Sequence, residues 1–196
     1  MYRKTHFQYL SGEEGRAMAI RRTAKMGHPI LRQRAEEVPV DQIGSNKIQS
    51  LIDDMIDTLI EYQGVGLAAP QVHEPLRIFT AHVEEEHGES QPPVSKILVV
   101  INPIVSILSQ EKVVTWEGCL SIPGLRGPVE RFTRVKVDGF DREGKAISIE
   151  PTGFGNIVIQ HENDHLDGIL FIDRMKDLRE LSFLEEFQRY HLRQEE

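Results

Sequence analysis

The chain has 196 residues, of which 39% are hydrophobic and 28% are charged, and its formal net charge at pH 7 is −8. This length and composition predict one soluble domain with its own hydrophobic core, because a second domain of ordinary size would need a longer chain. The acidic balance argues against general nucleic-acid binding, and no apolar run is long enough to span a membrane. We therefore expect neither DNA nor a membrane as a partner.

The N-terminal residues carry no continuous apolar stretch of the kind that forms a signal peptide. We therefore predict a cytoplasmic protein, with the bacterial cytosol favoured over an organelle. Residues 1–18 are predicted to be an N-terminal extension, and residues 19–196 a single domain. Cys119 is the only cysteine, which rules out an internal disulfide and leaves either an inert core thiol or a reactive one.

The first half of the chain contains one clear helix and two clear strands. Apolar residues recur at i, i+3, i+4 spacing over 46–62, which predicts an amphipathic helix. The stretch "GVGLAAPQ", residues 64–71, is rich in small residues and favours a close-packed loop over a strand. Residues 76–83 and 97–105 are predicted strands, and the polar segment 84–96 between them is a predicted exposed loop.

The second half contains a predicted hairpin and a predicted terminal helix. Residues 131–140 and 145–150 alternate in polarity and are joined by "DREG", which predicts two antiparallel strands. The tail, 177–196, has an apolar side at helical spacing. The segment "TWEGCLSIPG", residues 115–124, contains Cys119 and is interpreted as a turn because of its Gly and Pro residues.

The stretch "QHENDHLDG", residues 160–168, contains two histidines four positions apart, with a glutamate beside the first. We predict a helix here, capped by Thr152, because a helix places His161 and His165 on one face and only one turn apart. Two imidazoles so placed can bind a metal ion and leave Glu162 as a general base. The alternative is that both histidines are ordinary helix residues with hydrogen-bond partners.

A catalytic metal site with two histidines normally has a third protein ligand and a position open for water. An extended metalloprotease pattern would place a third histidine at position 171, where this chain has Phe171. Three downstream glutamates are formally available, in a tail too short for a separate lobe: Glu180, Glu185 and Glu186. The strongest remaining donor lies upstream, and the Cys119 thiolate would complete a Cys/His/His set.

Three segments resemble, in order, the signature motifs of the peptide deformylase family: "GVGLAAPQ", "EGCLS" and "QHENDHLDG". The resemblance also covers the lead-in "MGHPILRQRAEEV". It implies an α+β fold in which antiparallel β-sheets pack around a central helix that carries HExxH, with an N-terminal helix and a C-terminal helix. It also implies that residues 19–196 form a catalytic domain that removes the formyl group from the initiator methionine of new polypeptides and releases formate.

The resemblance implies a role for each motif residue. Cys119, His161 and His165 would bind the metal, Glu162 would act as acid and base, and Gln71 with the backbone N–H of Leu120 would stabilise the oxyanion. The implied metal is Fe²⁺, with Zn²⁺ as the alternative and Ni²⁺ or Co²⁺ as substitutes. The implied partners are N-formylmethionyl nascent polypeptides, together with a transient contact between the last helix and the ribosome.

The resemblance also implies substrate-binding residues: Gly64, Val65, Gly66, Arg126, Phe154, Ile157 and Val158. The apolar members would line a pocket for a methionine side chain, although apolar residues at helical spacing are as often plain core. Arg126 would lie near the peptide path, unless it pairs with a surface carboxylate instead. Glu117 is expected to support the metal-site turn and not to take part in the chemistry.

Two other classes of protein are compatible with HExxH. One is an endopeptidase, and the other is a non-catalytic protein in which zinc stabilises the fold or which only binds formylated chains. Phe171 and the short tail argue against the endopeptidase, because its third ligand is missing. Glu162 and Gln71 argue against the non-catalytic protein, because a structural metal site needs neither a base nor an oxyanion donor.

Overall fold

The computed structural model describes residues 18–85 and 94–192. Within them lie four α-helices: α1 Asn46–Glu61, α2 Gly153–Leu166, α3 Phe171–Arg174 and α4 Leu184–Tyr190. The same residues form eight strands: β1 Gly66–Ala68, β2 Ile78–Glu85, β3 Val94–Ile107, β4 Lys112–Cys119, β5 Ile122–Phe132, β6 Val135–Phe140, β7 Ala146–Ile149 and β8 Ser182–Phe183. Residues 1–17 of the predicted extension and 86–93 of the predicted loop lie outside the described residues.

The strands form two antiparallel sheets. One has five strands in the order β1-β2-β3-β6-β7, and the other has three in the order β4-β5-β8. The β6–β7 pair confirms the predicted hairpin, although residues 131–132 belong to the preceding strand β5. The architecture is therefore α+β with antiparallel sheets, as the resemblance implied.

Helix α1 confirms the predicted amphipathic helix. The Ser45 side chain accepts a hydrogen bond from the backbone N–H of Ile48 at 3.5 Å, which satisfies one of the free donors of the first turn. Its apolar face, which includes Ile52, shares a core with Ile78 of β2 and Ile101 of β3. Each buried side chain of this size contributes roughly 1.5–3 kcal/mol to stability.

Helix α2 packs on the opposite face of the five-stranded sheet. Successive residues of a strand point to opposite faces, so Phe79 of β2 lies in a second core with Val158 and Ile159 of α2. Gln160 joins α2 to the other sheet: its Nε2 donates to the carbonyl of Phe132 at 2.9 Å, and its Oε1 accepts from the Phe132 N–H at 3.1 Å. This burial outweighs the strand preference of the β-branched run 157–159.

The two ends of α2 differ from each other in how they are formed. Thr152 occupies the N-cap position, but its side chain makes no capping hydrogen bond, so the predicted cap is wrong in that respect. Gly168 follows the last turn with φ +74°, and a Cβ there would lie 2.8 Å from the backbone of Arg32. Only glycine tolerates both the positive φ and the lack of space for a Cβ, so position 168 fixes where the helix ends.

The prediction that "GVGLAAPQ" contains no strand is wrong. Residues 66–68 form β1, which pairs with β2 through Gly66 and Ala81, and 69–72 form a turn of 3-10 helix. The small side chains that argued against a strand are what allow β1 to pair with β2 and pack closely against α2. Close packing here outweighs intrinsic strand preference.

The segment around Cys119 is also more regular than predicted. Cys119 is the last residue of β4 and pairs with Ile122, the first residue of β5, so the turn consists of Leu120 and Ser121 alone. The predicted turn over 115–124 is therefore two strand ends joined by a tight connection.

The predicted terminal helix over 177–196 is only partly correct. Residues 178–180 form a 3-10 helix, β8 pairs with β5, and α4 covers Leu184–Tyr190. Phe183, predicted to lie on an apolar side, is 69% exposed. Within the described residues no helix is both long enough and apolar enough to cross a membrane.

Candidate metal centre and active site

The end of β4 and the last two turns of α2 bring three potential metal ligands together. The donor atoms of Cys119, His161 and His165 all lie within 4.8 Å of one another. The Cys119 Sγ is 3.2 Å from Nε2 of His165, and the two imidazole rings meet edge to face at 5.0 Å between centroids. Across residues 18–85 and 94–192, no other group of three or more such side chains gathers in this way.

The electrostatics of this group favour a thiolate. Burial raises the pKa of the Cys119 thiol, but the charge of His165 and the hydrogen bonds from both imidazoles outweigh burial and hold the pKa well below its ordinary value. A thiolate is the form that binds a metal ion. The chemistry of the set, one sulfur and two imidazole nitrogens, suits Zn²⁺ or Fe²⁺ and leaves room for a fourth, non-protein ligand.

Glu162 lies beside the group without belonging to it. Its side chain is 3% exposed, and its Oε2 is buried without a hydrogen-bond partner. Burial raises the pKa of Glu162 to about 7, so that the carboxyl can both accept and release a proton near neutrality. Gly66 of β1 faces it, and a Cβ at that position would lie 2.7 Å from the Glu162 Cδ. The strand can approach the carboxyl only because residue 66 is glycine.

Gln71 and the turn after Cys119 lie next to the cysteine and border the site on that side. The Gln71 Oε1 accepts a hydrogen bond from the Ala68 N–H at 2.8 Å, which fixes the amide. The Nε2 then points into the site, 3.4 Å from the Cys119 Sγ and 3.2 Å from the Ser121 Oγ. Leu120 follows Cys119 in the same turn, so both predicted oxyanion donors belong to segments that contact the cysteine.

The predicted substrate residues differ in their exposure. Ile157 and Val158 are buried, whereas Val65 is 44% and Phe154 46% exposed. Gly64 lies close to Leu59 and Leu120, since a Cβ there would lie 2.9 Å from the Leu59 Cδ1 and 3.3 Å from the Leu120 Cδ1.

Arg126 lies over the backbone of Gly118, next to Cys119, where a Cβ on Gly118 would come within 2.7 Å of its Nε. Its Nη1 donates to the carbonyl of Leu125 at 2.8 Å. Burial lowers the pKa of Arg126, and the charge of Cys119 partly offsets this effect.

Sequence reasoning missed a chain of buried charges behind His161. Glu117, expected only to support the turn, has its Oε2 2.7 Å from the Nδ1 of His161. Arg131 donates to both oxygens of Glu117, at 2.6 and 2.9 Å, and to Asp164 at 2.6 Å. Arg174 then donates to Asp164 at 2.6 Å. In the sequence, these residues are visible only as charged positions within strand and helix patterns that are otherwise apolar.

This network fixes the orientation of the His161 ring. Burial alone would raise the pKa of Glu117, but the hydrogen bonds from Arg131 and His161 hold it at about 2, so the carboxylate is ionised. It accepts the proton on Nδ1 of His161 and leaves Nε2 for the metal, a common arrangement for a histidine ligand. The residues therefore fit a bound divalent ion.

The alternative ligands do not join the group. Phe171 is buried and stacks on the His161 ring at 6.4 Å between centroids, so it packs against His161 and supplies no donor atom. The three glutamates of the tail are exposed and lie outside the group: Glu180, Glu185 and Glu186.

Known proteins resemble this chain over most of its length. A profile of the family described as polypeptide deformylase matches residues 20–180. Peptide deformylase 1 of Nitrosomonas europaea is 42% identical over 166 residues, which cover 84% of this chain and 92% of that protein. Peptide deformylase 1A, chloroplastic/mitochondrial, of Arabidopsis thaliana is 40% identical over 173 residues, and the match spans 84% of this chain and 64% of the plant protein.

Solved structures agree with these relatives. The crystal structure of a class I type b peptide deformylase from Acinetobacter baumannii, bound to Met-Ala-Ser, has a TM-score of 0.73 and 35% sequence identity, and the match covers 81% of this chain and 100% of that chain. The family and the Cys/His/His group together support a single metal ion. The chain therefore belongs to the peptide deformylase family, hydrolases that remove the formyl group from N-formylmethionyl peptides.

Proposed function

We propose that Cys119, His161 and His165 hold one divalent metal ion, and that this chain uses it to hydrolyse the formyl amide of N-formylmethionyl peptides. The observation that carries the proposal is the position of Glu162, a buried carboxyl with one unpartnered oxygen beside three convergent ligands. A structural metal site would not need such a group. We also propose that α2 is the central helix of the family's fold and that residues 19–196 are the catalytic domain.

The roles of the chain's own groups follow from this arrangement. When bound, the metal ion would acidify water and polarise the formyl carbonyl. Glu162 takes the proton of the attacking water and later delivers it to the leaving amine, so that the C–N bond breaks to give formate and a free amino terminus. The Gln71 Nε2–H and the Leu120 backbone N–H donate to the carbonyl oxygen as it gains negative charge.

The substrate groups complete the proposal. Val65, Phe154, Ile157 and Val158 would contact the methionine side chain, with the first two at the open rim and the last two at the base. Gly64 and Gly66 would let the peptide backbone approach β1, and Arg126 would meet the peptide beyond the methionine. The half-buried state of the Arg126 guanidinium beside Cys119 supports this last assignment.

Two expectations about the cell are part of the proposal. A transient contact with the ribosome would involve the C-terminal segment, where Leu178, Phe183 and Tyr190 expose apolar surface. Co-sedimentation with ribosomes at two salt concentrations would test it. The cytoplasmic location stays a prediction.

Formate release from formyl-Met-Ala-Ser separates deformylation from endopeptidase activity. We expect metal-loaded protein to release formate and intact Met-Ala-Ser, and to leave the internal bonds uncut, as judged by mass spectrometry. The same peptide with an N-terminal acetyl group is the control, because its extra methyl group would crowd the reacting carbon. Internal cleavage without formate would show that the chain is an endopeptidase.

Removing the amide of Gln71 should slow turnover without removing the metal. We expect Gln71→Leu to lower kcat by about 10²–10³-fold, the usual cost of one oxyanion donor, with metal content unchanged. Gln33 is exposed, so Gln33→Leu is the matched control and should keep full activity. Near-normal turnover in folded Gln71→Leu would remove Gln71 from the site.

Air sensitivity tests the identity of the metal, for which we propose Fe²⁺. Affinity order alone favours zinc, so the native ion depends on supply and on which ion supports turnover. We expect high activity after anaerobic preparation, low activity after exposure to air, and high activity again with Ni²⁺ or Co²⁺, because ferrous iron and its thiolate ligand oxidise readily. Equal activity in air and under nitrogen, with zinc bound, would show that the iron assignment is wrong.

A further inference from the structure

Residues 23–26 form a short N-terminal segment that contacts Gln71 and the turn of Leu120 and Ser121, which both border the active site. The backbone N–H of Ala24 donates to the carbonyl of Gln71 at 2.7 Å, and that of Met26 donates to the carbonyl of Ser121 at 2.8 Å. Between them, the Lys25 Nζ donates to the carbonyl of Leu120 at 2.8 Å. A second bond, to the Thr23 Oγ1 at 2.7 Å, holds the ammonium group in place. The ammonium group of the exposed Lys25 is thus anchored on the turn that follows Cys119.

The carbonyl that Lys25 contacts belongs to a peptide unit with a second contact. The Leu120 C=O and the Ser121 N–H are two ends of one peptide group, and the Ser121 N–H donates to the Cys119 Sγ at 3.3 Å. A positive charge on the carbonyl oxygen pulls electron density from the peptide nitrogen, which makes its N–H a stronger donor. The ammonium, the peptide and the sulfur therefore form one polarised chain.

We propose that Lys25 is a positioning residue that strengthens the Ser121 N–H···S hydrogen bond and so reduces the electron donation of the Cys119 thiolate to the metal. The inference rests on the proposed ligation by Cys119 and adds a group that tunes the ligand. Hydrogen bonds to a coordinating sulfur stabilise its charge and alter the properties of the metal, as partners of metal ligands generally do. A weaker donor leaves the metal a stronger Lewis acid and makes ferrous iron harder to oxidise.

The alternative is that Lys25 only fastens the N-terminal segment to the turn. Ala24 and Met26 already fasten it through backbone bonds that no side-chain substitution removes. Loss of the Lys25 side chain should therefore leave the segment in place while removing the charge. Stability alone cannot separate the two roles, whereas the spectrum of the metal can.

Absorption of the Co²⁺-loaded protein, without substrate, provides the test. We expect Lys25→Met to shift the thiolate-to-cobalt charge-transfer band to lower energy than in the parent protein, because the sulfur becomes more electron-rich. Lys25→Arg retains the cation and should restore the parent band. Lys47→Met removes an exposed lysine at the start of α1 and should leave the band unchanged, because Lys47 lies about 18 Å along that helix from Leu59, the α1 residue next to Gly64. In the iron form, Lys25→Met should lose activity in air faster than the parent.

The outcomes are distinguishable. An unshifted band in folded Lys25→Met, with one equivalent of cobalt bound, would overturn the role of Lys25 and leave the metal ligands as proposed. A parent protein that binds cobalt without any thiolate charge-transfer band would instead contradict ligation by Cys119.

Discussion

Replacing Glu162 with Gln should lower formate release by about 10²–10⁴-fold while the metal stays bound, since general acid-base groups contribute rate factors of that size. The side chain is buried beside the three ligands, but none of its oxygens belongs to the group that could hold a metal. Gln has nearly the same shape and cannot carry the proton. The measurement is kcat together with metal content of the purified variant.

Cys119→Ala is the matched comparison, because it removes a proposed metal ligand, whereas Glu162→Gln removes the proposed proton carrier. Both metal and turnover should be lost, with the loss of affinity visible by metal analysis. A Glu162→Gln protein that folds normally but contains no metal would show that Glu162 is a ligand and that the division of roles is wrong.

Arg131→Met should destabilise the protein by about 3–5 kcal/mol, the usual effect of breaking a buried ion pair from one side. The Arg131 side chain is 4% exposed and pairs with Glu117 and Asp164, which are 6% and 8% exposed. Removing the guanidinium leaves the buried Glu117 carboxylate with His161, and the buried Asp164 carboxylate with Arg174, as its remaining charged partner among the described residues. Urea unfolding of the metal-free protein measures this change directly, without the contribution of metal binding.

Arg134→Met is the control for the loss of one arginine. Its partner is Glu150, and both side chains are more than half exposed, so we expect less than about 1 kcal/mol. If Arg131→Met lowered the free energy of unfolding by as little as Arg134→Met, the buried network would add no stability. Arg131→Met should also weaken metal binding, since Glu117 would no longer be held on His161.

Helix α1, helix α2 and the Cys/His/His group that could hold a metal were predictable because their signals are local. Helix α1 repeats apolar residues at helical spacing, and the two histidines of α2 make sense only one turn apart on a helix. Cys119 could be found because it is the only cysteine and its neighbours match a family motif. None of these inferences needed a contact between distant parts of the chain.

The features that were missed depend on tertiary contacts. Strand β1 is made of residues with poor strand preference, and it forms because small side chains allow it to pair with β2 and pack closely against α2. The pairing of Glu117 with His161 and the contact of Lys25 with Leu120 join residues 44 and 95 positions apart. No periodic pattern records such separations, so only the folded structure reveals them.

The central claim is that the Cys119, His161 and His165 group holds the metal that performs deformylation. The most direct test adds Fe²⁺ or Co²⁺ stepwise to metal-free protein under nitrogen and measures formate released from formyl-Met-Ala-Ser. We predict that the rate rises linearly, reaches a plateau at one equivalent, and stays near zero throughout for Cys119→Ala. Full activity of metal-free protein, or a normal titration of Cys119→Ala, would contradict the claim.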